Sequence, residues 1–404
     1  MKSMRNRCAR RGFFVVSRQT IPLGSARMAG RIYVVAGELS GDAHGAGLLR
    51  ALHHLHPAVE IAGAGGPEMV ATGGPAVRDW VDEAAVIGLW EVLKRYGWFK
   101  ARFDEMLAEA KAMRPDVLLL IDYPGFNLRF AEAVKRELPE TRIVYYISPQ
   151  VWAWNKGRIP KMAELIDELL CLFPFEVPIL EEGGVKATFV GHPLVDELEE
   201  QRIPDVVREE GLVALLPGSR TREIERLFPI MLETAREMLA TRAGIRFEAP
   251  AASPKLAKTM REMVEECGLE TSVRVTDGGS HTLMQRAACG VIASGTATLE
   301  AAYFDLPYCL IYKVAWPTYV IGRQLVKIDH IGLVNILAGR GVVEEFIQAD
   351  ADAKLVSAEL NRLLDDAAYR ERLQAALAET AAKLGGQGAH ERAAVIVDRW
   401  LRHA

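Results

Sequence analysis

The chain has 404 residues, half of them hydrophobic and a quarter charged, with a formal net charge of −4. That length exceeds one typical core, so two domains are expected, and the composition is globular rather than disordered or fibrous. Residues 1–27 hold seven Lys/Arg and no acid, which leaves −11 on the remainder, and so acidic a body argues against non-specific nucleic-acid binding.

In the basic N-terminal stretch the only apolar run, Phe13-Phe-Val-Val16, is too short for the core of a signal peptide, and Arg18 follows at once. Residues 1–29 are read as a disordered extension, with Met28 a candidate true start. No run of about 18 apolar residues occurs, so no transmembrane helix is expected. Cys8, Cys171, Cys267, Cys289 and Cys309 lack CxxC spacing and fit the reduced thiols of a cytoplasmic protein.

Short, continuous apolar runs at 32–36, 117–121, 143–147 and 168–172 read as strands buried on both faces, and a second series follows at 212–216, 245–248, 272–275, 290–293 and 308–312. Amphipathic stretches such as Arg102–Met113, Phe130–Glu137 and Ile224–Leu239 lie between them. This rhythm predicts an α/β protein of two Rossmann-like domains with parallel sheets, 30–200 and 205–380, facing across a cleft. The polar stretch Glu197–Pro204 marks the break. In a final helix over 388–404, Ala393, Ile396, Val397, Trp400 and Leu401 share one face, which is expected to return to the first domain.

The first strand leads into Ala36-Gly-Glu-Leu-Ser-Gly-Asp-Ala-His-Gly-Ala-Gly47, a glycine-rich turn without GxGxxG or GxxxxGK[ST] spacing. Glu38 and Asp42 would repel a phosphate there, so with Ser40 they suit sugar hydroxyls on an acceptor side of the cleft. Ala84–Phe103 mixes Trp90, Tyr96, Trp98 and Phe99 with Lys94, Arg95, Lys100 and Arg102. That is the composition of a helix facing a membrane surface, the plainer reading being a core helix with snorkelling cations. Val117–Asn127 puts Asp122 at the carboxyl end of a very apolar strand, where partial desolvation raises a carboxyl pKa toward that of a general base. A capping role in the Pro-Gly turn is the alternative.

In the second half, Leu215–Ile224 runs from a strand through Pro217-Gly218-Ser219-Arg220 into a helix, a start suited to a diphosphate. Gly290–Glu300 repeats the pattern with Ser294, Gly295 and Thr296, and Glu300 is placed to accept ribose hydroxyls. Three other signals carry less. His53-His54-Leu55-His56 has no acidic or Cys partner nearby and reads as cations at a helix end. Asp350-Ala-Asp352 reads as a helix cap, and Gly37–Gly41 has one residue too many before its serine for a GxSxG elbow.

Taken together, Ala36–Asp42, Ile121–Asn127, Ile147–Asn155, Phe189–Leu194, Leu216–Arg220, Ser294–Glu300 and Asn335–Gly339 resemble the lipid-A-disaccharide synthase family of GT-B glycosyltransferases, from about Arg31 to the end. The resemblance implies an inverting transfer of 2,3-diacylglucosamine from UDP to 2,3-diacylglucosamine 1-phosphate, without metal or other cofactor. It implies Asp122 as catalytic base, and Ser219, Arg220, Ser294, Gly295, Thr296, Glu300 and Asn335 on the donor. It also gives the acylated substrates' membrane a place against Trp90, Lys94, Arg95, Trp98 and Phe99. The expected location is the cytoplasm, at the inner face of the cytoplasmic membrane of a Gram-negative bacterium; a homodimer is an open possibility. Gly125 stands where many members carry an aspartate, which removes a second acid from beside Asp122. The rival readings are another UDP-sugar enzyme of the same fold, such as a 2-epimerase, and a non-catalytic nucleotide-sugar-binding membrane protein.

Overall fold

The computed structural model describes residues 30–84, 96–316, 319–320 and 329–402. The expected extension over 1–29, with Cys8, lies outside the described residues, as do Trp90, Lys94 and Arg95.

Two sheets are built wholly from parallel pairs. The first contains β1 (Arg31–Ala36), β2 (Glu60–Gly65), β3 (Val77–Asp79), β4 (Val117–Ile121), β5 (Arg142–Tyr146), β6 (Glu168–Cys171) and β7 (Ala187–Phe189), in the order β3-β2-β1-β4-β5-β6-β7. The second contains β8 (Glu209–Leu216), β9 (Arg246–Ala251), β10 (Val273–Asp277), β11 (Ala287–Ala293), β12 (Tyr308–Tyr312) and β13 (Glu345–Ile347), in the order β10-β9-β8-β11-β12-β13. The chain reverses its order beside β1 in one sheet and β8 in the other, and such switch points open ligand crevices at the carboxyl ends of strands. The predicted doubly wound α/β architecture is therefore present in both halves.

The central strands are buried over most of their length, β4 completely. Each Leu or Ile so covered contributes about 2 kcal/mol of gross burial free energy. The first sheet carries separate apolar clusters on its two faces, whereas a single cluster fills the second domain. The helix Leu194–Glu200, assigned from sequence to the first domain, sends Leu194, Val195 and Leu198 into the second domain's cluster. The crossing between cores thus falls near Val190–Pro193, earlier than the polar break.

The helix Ala389–Arg402 packs on the first domain's helix Leu39–Leu55, with Ala393, Ile396, Val397 and Leu401 in one cluster with Leu48 and Leu52. Gly47 is required by this contact, because a Cβ there would lie 2.3 Å from the His390 ring. Polar anchors flank it: Arg392 Nε donates to Val190 O at 2.6 Å and Trp400 Nε1 to Glu168 Oε2 at 2.8 Å. His56, discounted as a metal ligand, is buried beside Asp398 at 3.1 Å. Among the described residues no helix is long and apolar enough to cross a membrane.

Candidate active site

The two turns read as a nucleotide site stand side by side, because β8 and β11 pair in register with Leu216 opposite Ile292. Together with the ends of β9 and β10 they enclose an open cavity of about 400 Å³, into which Ser219, Arg220, Ser294, Gly295, Thr296 and Glu300 all face. The cradle after β8 is closed by its own side chain. Glu223 accepts the Ser219 and Arg220 backbone N–H groups at 3.1 and 3.2 Å, and pairs with Arg220 Nη1 at 2.8 Å. A diphosphate at those donors must displace this carboxylate, which the half-free Arg220, 78% exposed, is able to follow or leave.

Glu300 faces the cavity beside His281, whose Nε2 lies 3.2 Å from Glu300 Oε2. Hydrogen bonding to Glu300 raises the His281 imidazole above its ordinary value, against the effect of its partial burial. His281 was missed in the sequence. The signal available was Asp277-Gly-Gly-Ser-His281, another strand end running into a helix.

Asn335 is placed differently from expectation. It is 1% exposed, and its amide is consumed internally. Oδ1 accepts the N–H groups of Val342 and Val343 at 2.7 and 3.0 Å, while Nδ2 donates to Val343 O and Glu345 Oε1 at 2.9 and 2.8 Å. It fastens the approach to β13 and has no group left for a donor sugar.

In the first domain Asp122 ends β4, as expected, with a backbone that sequence did not foresee. Asp122 and Tyr123 both take left-handed conformations, φ 46° and 48°, which are uncommon for residues with a Cβ. Main-chain bonds hold them there: Asp122 N–H donates to Tyr146 O at 3.0 Å, and Asp122 O accepts from Asn127 Nδ2 at 2.7 Å and from the Tyr145 hydroxyl at 2.5 Å. The carboxylate is left for other partners. Burial pushes its pKa up to about 6; the Glu38 carboxylate adds to the rise and the Tyr123 N–H opposes it.

The glycine-rich stretch after β1 is mostly helix. Only Gly37 and Glu38 form a turn, and the helix begins at Leu39. Gly37 is required because a Cβ there would meet the Tyr123 ring at 2.2 Å. Glu38 and Ser40 are exposed, whereas Asp42 is 2% exposed and accepts N–H groups of Gly66, Glu68 and Met69 at 2.7, 3.0 and 2.9 Å. The acceptor-side assignment of Asp42 is corrected accordingly: it anchors the start of the helix Pro67–Gly73.

Beyond β5, Trp152 of the Ile147–Asn155 motif donates through Nε1 to Glu176 Oε1 at 3.0 Å. Burial raises the Glu176 carboxyl to about 7, opposed by the bonds it accepts from Phe173 and Trp152. Trp98 and Phe99, assigned to a membrane surface, are half-buried against the first core, with Trp98 stacked on Trp80 at 6.1 Å. Asp350-Ala-Asp352 behaves as read, Asp352 capping Ala353–Asp365 through the Lys354 and Leu355 N–H groups. Among the described residues no group of three or more His, Cys, Asp or Glu side chains could hold a metal ion.

Comparison with solved structures returns this two-domain architecture. A Staphylococcus aureus MnaA–UDP co-structure aligns with TM-score 0.61 at 13% identity, covering 93% of this chain and 98% of that one. A UDP-GlcNAc 2-epimerase from Neisseria meningitidis aligns with TM-score 0.54 at 11% identity, covering 93% and 99%. At such identities the likeness speaks for the fold alone. Sequence relatives are far nearer. The lipid-A-disaccharide synthase of Geobacter sulfurreducens is 42% identical over 378 residues, 91% of this chain and 96% of the relative. That of Trichlorobacter lovleyi is 40% identical over 374 residues, with 91% and 96% covered. The family model described as lipid-A-disaccharide synthetase matches residues 32–398, so the chain belongs to that family of glycosyltransferases.

Proposed function

We propose that the chain moves a 2,3-diacylglucosamine unit from UDP to the 6-hydroxyl of 2,3-diacylglucosamine 1-phosphate, giving the β-1′,6 disaccharide 1-phosphate and UDP. The observation that carries this reading is Asp122, a carboxylate at the end of a buried strand whose pKa of about 6 leaves it ionised yet basic at neutral pH. Asp122 takes the proton from the acceptor hydroxyl as that oxygen forms its bond to the anomeric carbon. The bond from that carbon to the diphosphate breaks, and inversion turns the α-linked donor into a β-linked product.

Charge that develops on the departing diphosphate is met by Arg220 in the second-domain cavity, with the His281–Glu300 pair beside it. Ser294, Gly295 and Thr296 leave room for the nucleotide, and Glu300 takes its ribose. Glu38 and Ser40 serve the acceptor. Peripheral attachment to an anionic membrane face belongs to the same reading. It is supported by Trp90, Lys94 and Arg95 close together in the sequence, Trp98 and Phe99 being turned to the first core. Vesicle binding unchanged by the double variant Lys94→Glu/Arg95→Glu would count against that part.

The decisive assay supplies both diacylated substrates and follows UDP and disaccharide. Wild-type protein is expected to form both, and Asp122→Asn to lose about 10²–10⁴ in kcat, the usual range for a general base. Absence of product from the wild type removes the reaction, and full turnover by Asp122→Asn removes the base.

A further inference from the structure

We propose that His281 is a positioning residue for nucleotide recognition. It holds one oxygen of Glu300 so that this carboxylate accepts both hydroxyls of a ribose, and the cavity thereby selects ribonucleoside over 2′-deoxyribonucleoside diphosphates. This rests on the reading of Glu300 as the ribose-binding group.

The two residues come from different strand ends. β10 turns at Gly278 and Gly279, both left-handed with φ 74° and 86°, into the short helix Ser280–Arg286 that carries His281. Glu300 stands in the helix Ala297–Tyr303 that follows β11. In the sheet β9 and β8 separate β10 from β11. The 3.2 Å contact between His281 Nε2 and Glu300 Oε2 is therefore made by the fold, and both side chains line the same cavity as Arg220.

His281 is confined on two sides. Its ring centroid lies 5.8 Å from that of Phe304, which is buried and one helical turn beyond Glu300. Its main chain is tied down by the buried Gln285, whose amide donates to His281 O at 3.1 Å and to Gln201 O at 2.9 Å. The Gln285 oxygen in turn accepts the Ile203 N–H at 2.7 Å. The Glu300 carboxylate, by contrast, bonds His281 alone among the described residues. A carboxylate that takes two neighbouring hydroxyls must keep its plane fixed, and His281 supplies that restraint.

The surroundings give a reason for an imidazole. The half-buried Glu197, on the helix Leu194–Glu200, has its carboxyl raised by burial and then by Glu300, with His281 opposing. The imidazole offsets this repulsion between carboxylates and keeps Glu300 a hydrogen-bond acceptor.

The combination selects the ligand. Glu300 repels phosphate oxygens, so a diphosphate belongs at Arg220 and the carboxylate is left for neutral hydroxyl donors. A ribose offers it two such donors, and a 2′-deoxyribose only one.

The test titrates UDP and 2′-deoxy-UDP calorimetrically into full-length wild-type protein, His281→Ala, His281→Gln and Glu300→Ala, with thermal denaturation as the check on folding. Wild type is expected to prefer UDP about tenfold, the scale of one hydrogen bond to a charged group. His281→Ala should reduce that preference to about threefold or less, chiefly by weakening UDP. His281→Gln, whose amide nitrogen reaches the place of Nε2, should restore most of it. In turnover, His281→Ala should raise the KM for donor and leave the KM for acceptor unchanged. A pair that merely braces two helices would weaken both ligands equally, or lower the melting temperature with the preference intact. Either result overturns the proposal. A preference that survives in Glu300→Ala removes the ribose reading itself. One that is lost in Glu300→Ala but intact in His281→Ala removes the role of His281 alone. The titrations need no catalysis, so they decide the matter whether or not disaccharide forms.

Discussion

Asn127 Nδ2 donates to the main-chain oxygen of Asp122 at 2.7 Å, so a side chain one helical turn further on holds the backbone of the candidate base. The same amide lies 3.2 Å from Ile121 O, and the Tyr145 hydroxyl reaches Asp122 O from the neighbouring strand. Two consecutive left-handed residues with side chains are costly, on the order of 1 kcal/mol or more each, and persist where surrounding bonds over-determine them. Asn127→Ala removes one of those bonds in a buried place. It is expected to lower stability by about 1–3 kcal/mol and to reduce kcat at least tenfold with little change in the KM for donor. Chemical denaturation and steady-state kinetics measure both. Loss of stability with kcat intact would reduce Asn127 to a structural residue.

The raised Asp122 pKa predicts both an activity profile and a stability profile. As a base it must be ionised, so log kcat should fall with unit slope below a pH of about 6 and level off above it. The stability sign follows from linkage. A carboxyl whose folded-state pKa lies above its unfolded value makes the folded state hold its proton longer, so its contribution to stability declines as pH rises from about 4 to about 6. The cost at neutral pH is on the order of 2 kcal/mol, reduced by the carboxyl's partial exposure. Asp122→Asn should therefore be more stable than the wild type at pH 8 and lose that advantage toward pH 4. Melting temperatures at the two pH values decide; an advantage that grows toward acid would invert the assignment.

How much of this was legible in the sequence depends on the range of the interaction. The short apolar runs at β1, β4, β8 and β11 announce buried parallel strands, because they are rich in β-branched residues, too short for helices and bounded by turn residues. β2, written Glu-Ile-Ala-Gly-Ala-Gly, has too little bulk to stand out, and β3, β7 and β13 are three residues each. Asp122 was readable from its place at a strand end. The restraint on its backbone was not, since Tyr145 lies 23 residues away on the next strand. Asp42 misled for the same reason. A carboxylate beside glycines suggests a ligand, but its partners are backbone donors of a helix more than twenty residues later, Gly66, Glu68 and Met69. Glu223 lies in the first turn of the helix that follows β8, and only the fold brings it back over the two N–H groups suited to phosphate.

Asn335 and Glu300 offer a contrast between a residue that builds the donor domain and one that faces the cavity. Asn335→Ala strands the buried N–H of Val343 and the part-buried N–H of Val342, while Glu345 Oε1 keeps the Gly332 N–H at 2.9 Å. Unsatisfied buried donors cost about 1–3 kcal/mol each, so a loss of roughly 3 kcal/mol or more is expected, with UDP affinity retained wherever the variant is still folded. Glu300→Ala should behave in the opposite way. Its carboxylate is partly exposed and among the described residues bonds His281 alone, so stability should change by about 1 kcal/mol or less. UDP should bind at least tenfold more weakly, as expected for the loss of two hydroxyl contacts to a charged group. Calorimetric titration with UDP, at a temperature well below both melts, separates the two. A tenfold loss of UDP affinity in Asn335→Ala with unchanged stability would restore that residue to the donor site and overturn the internal role argued from its hydrogen bonds.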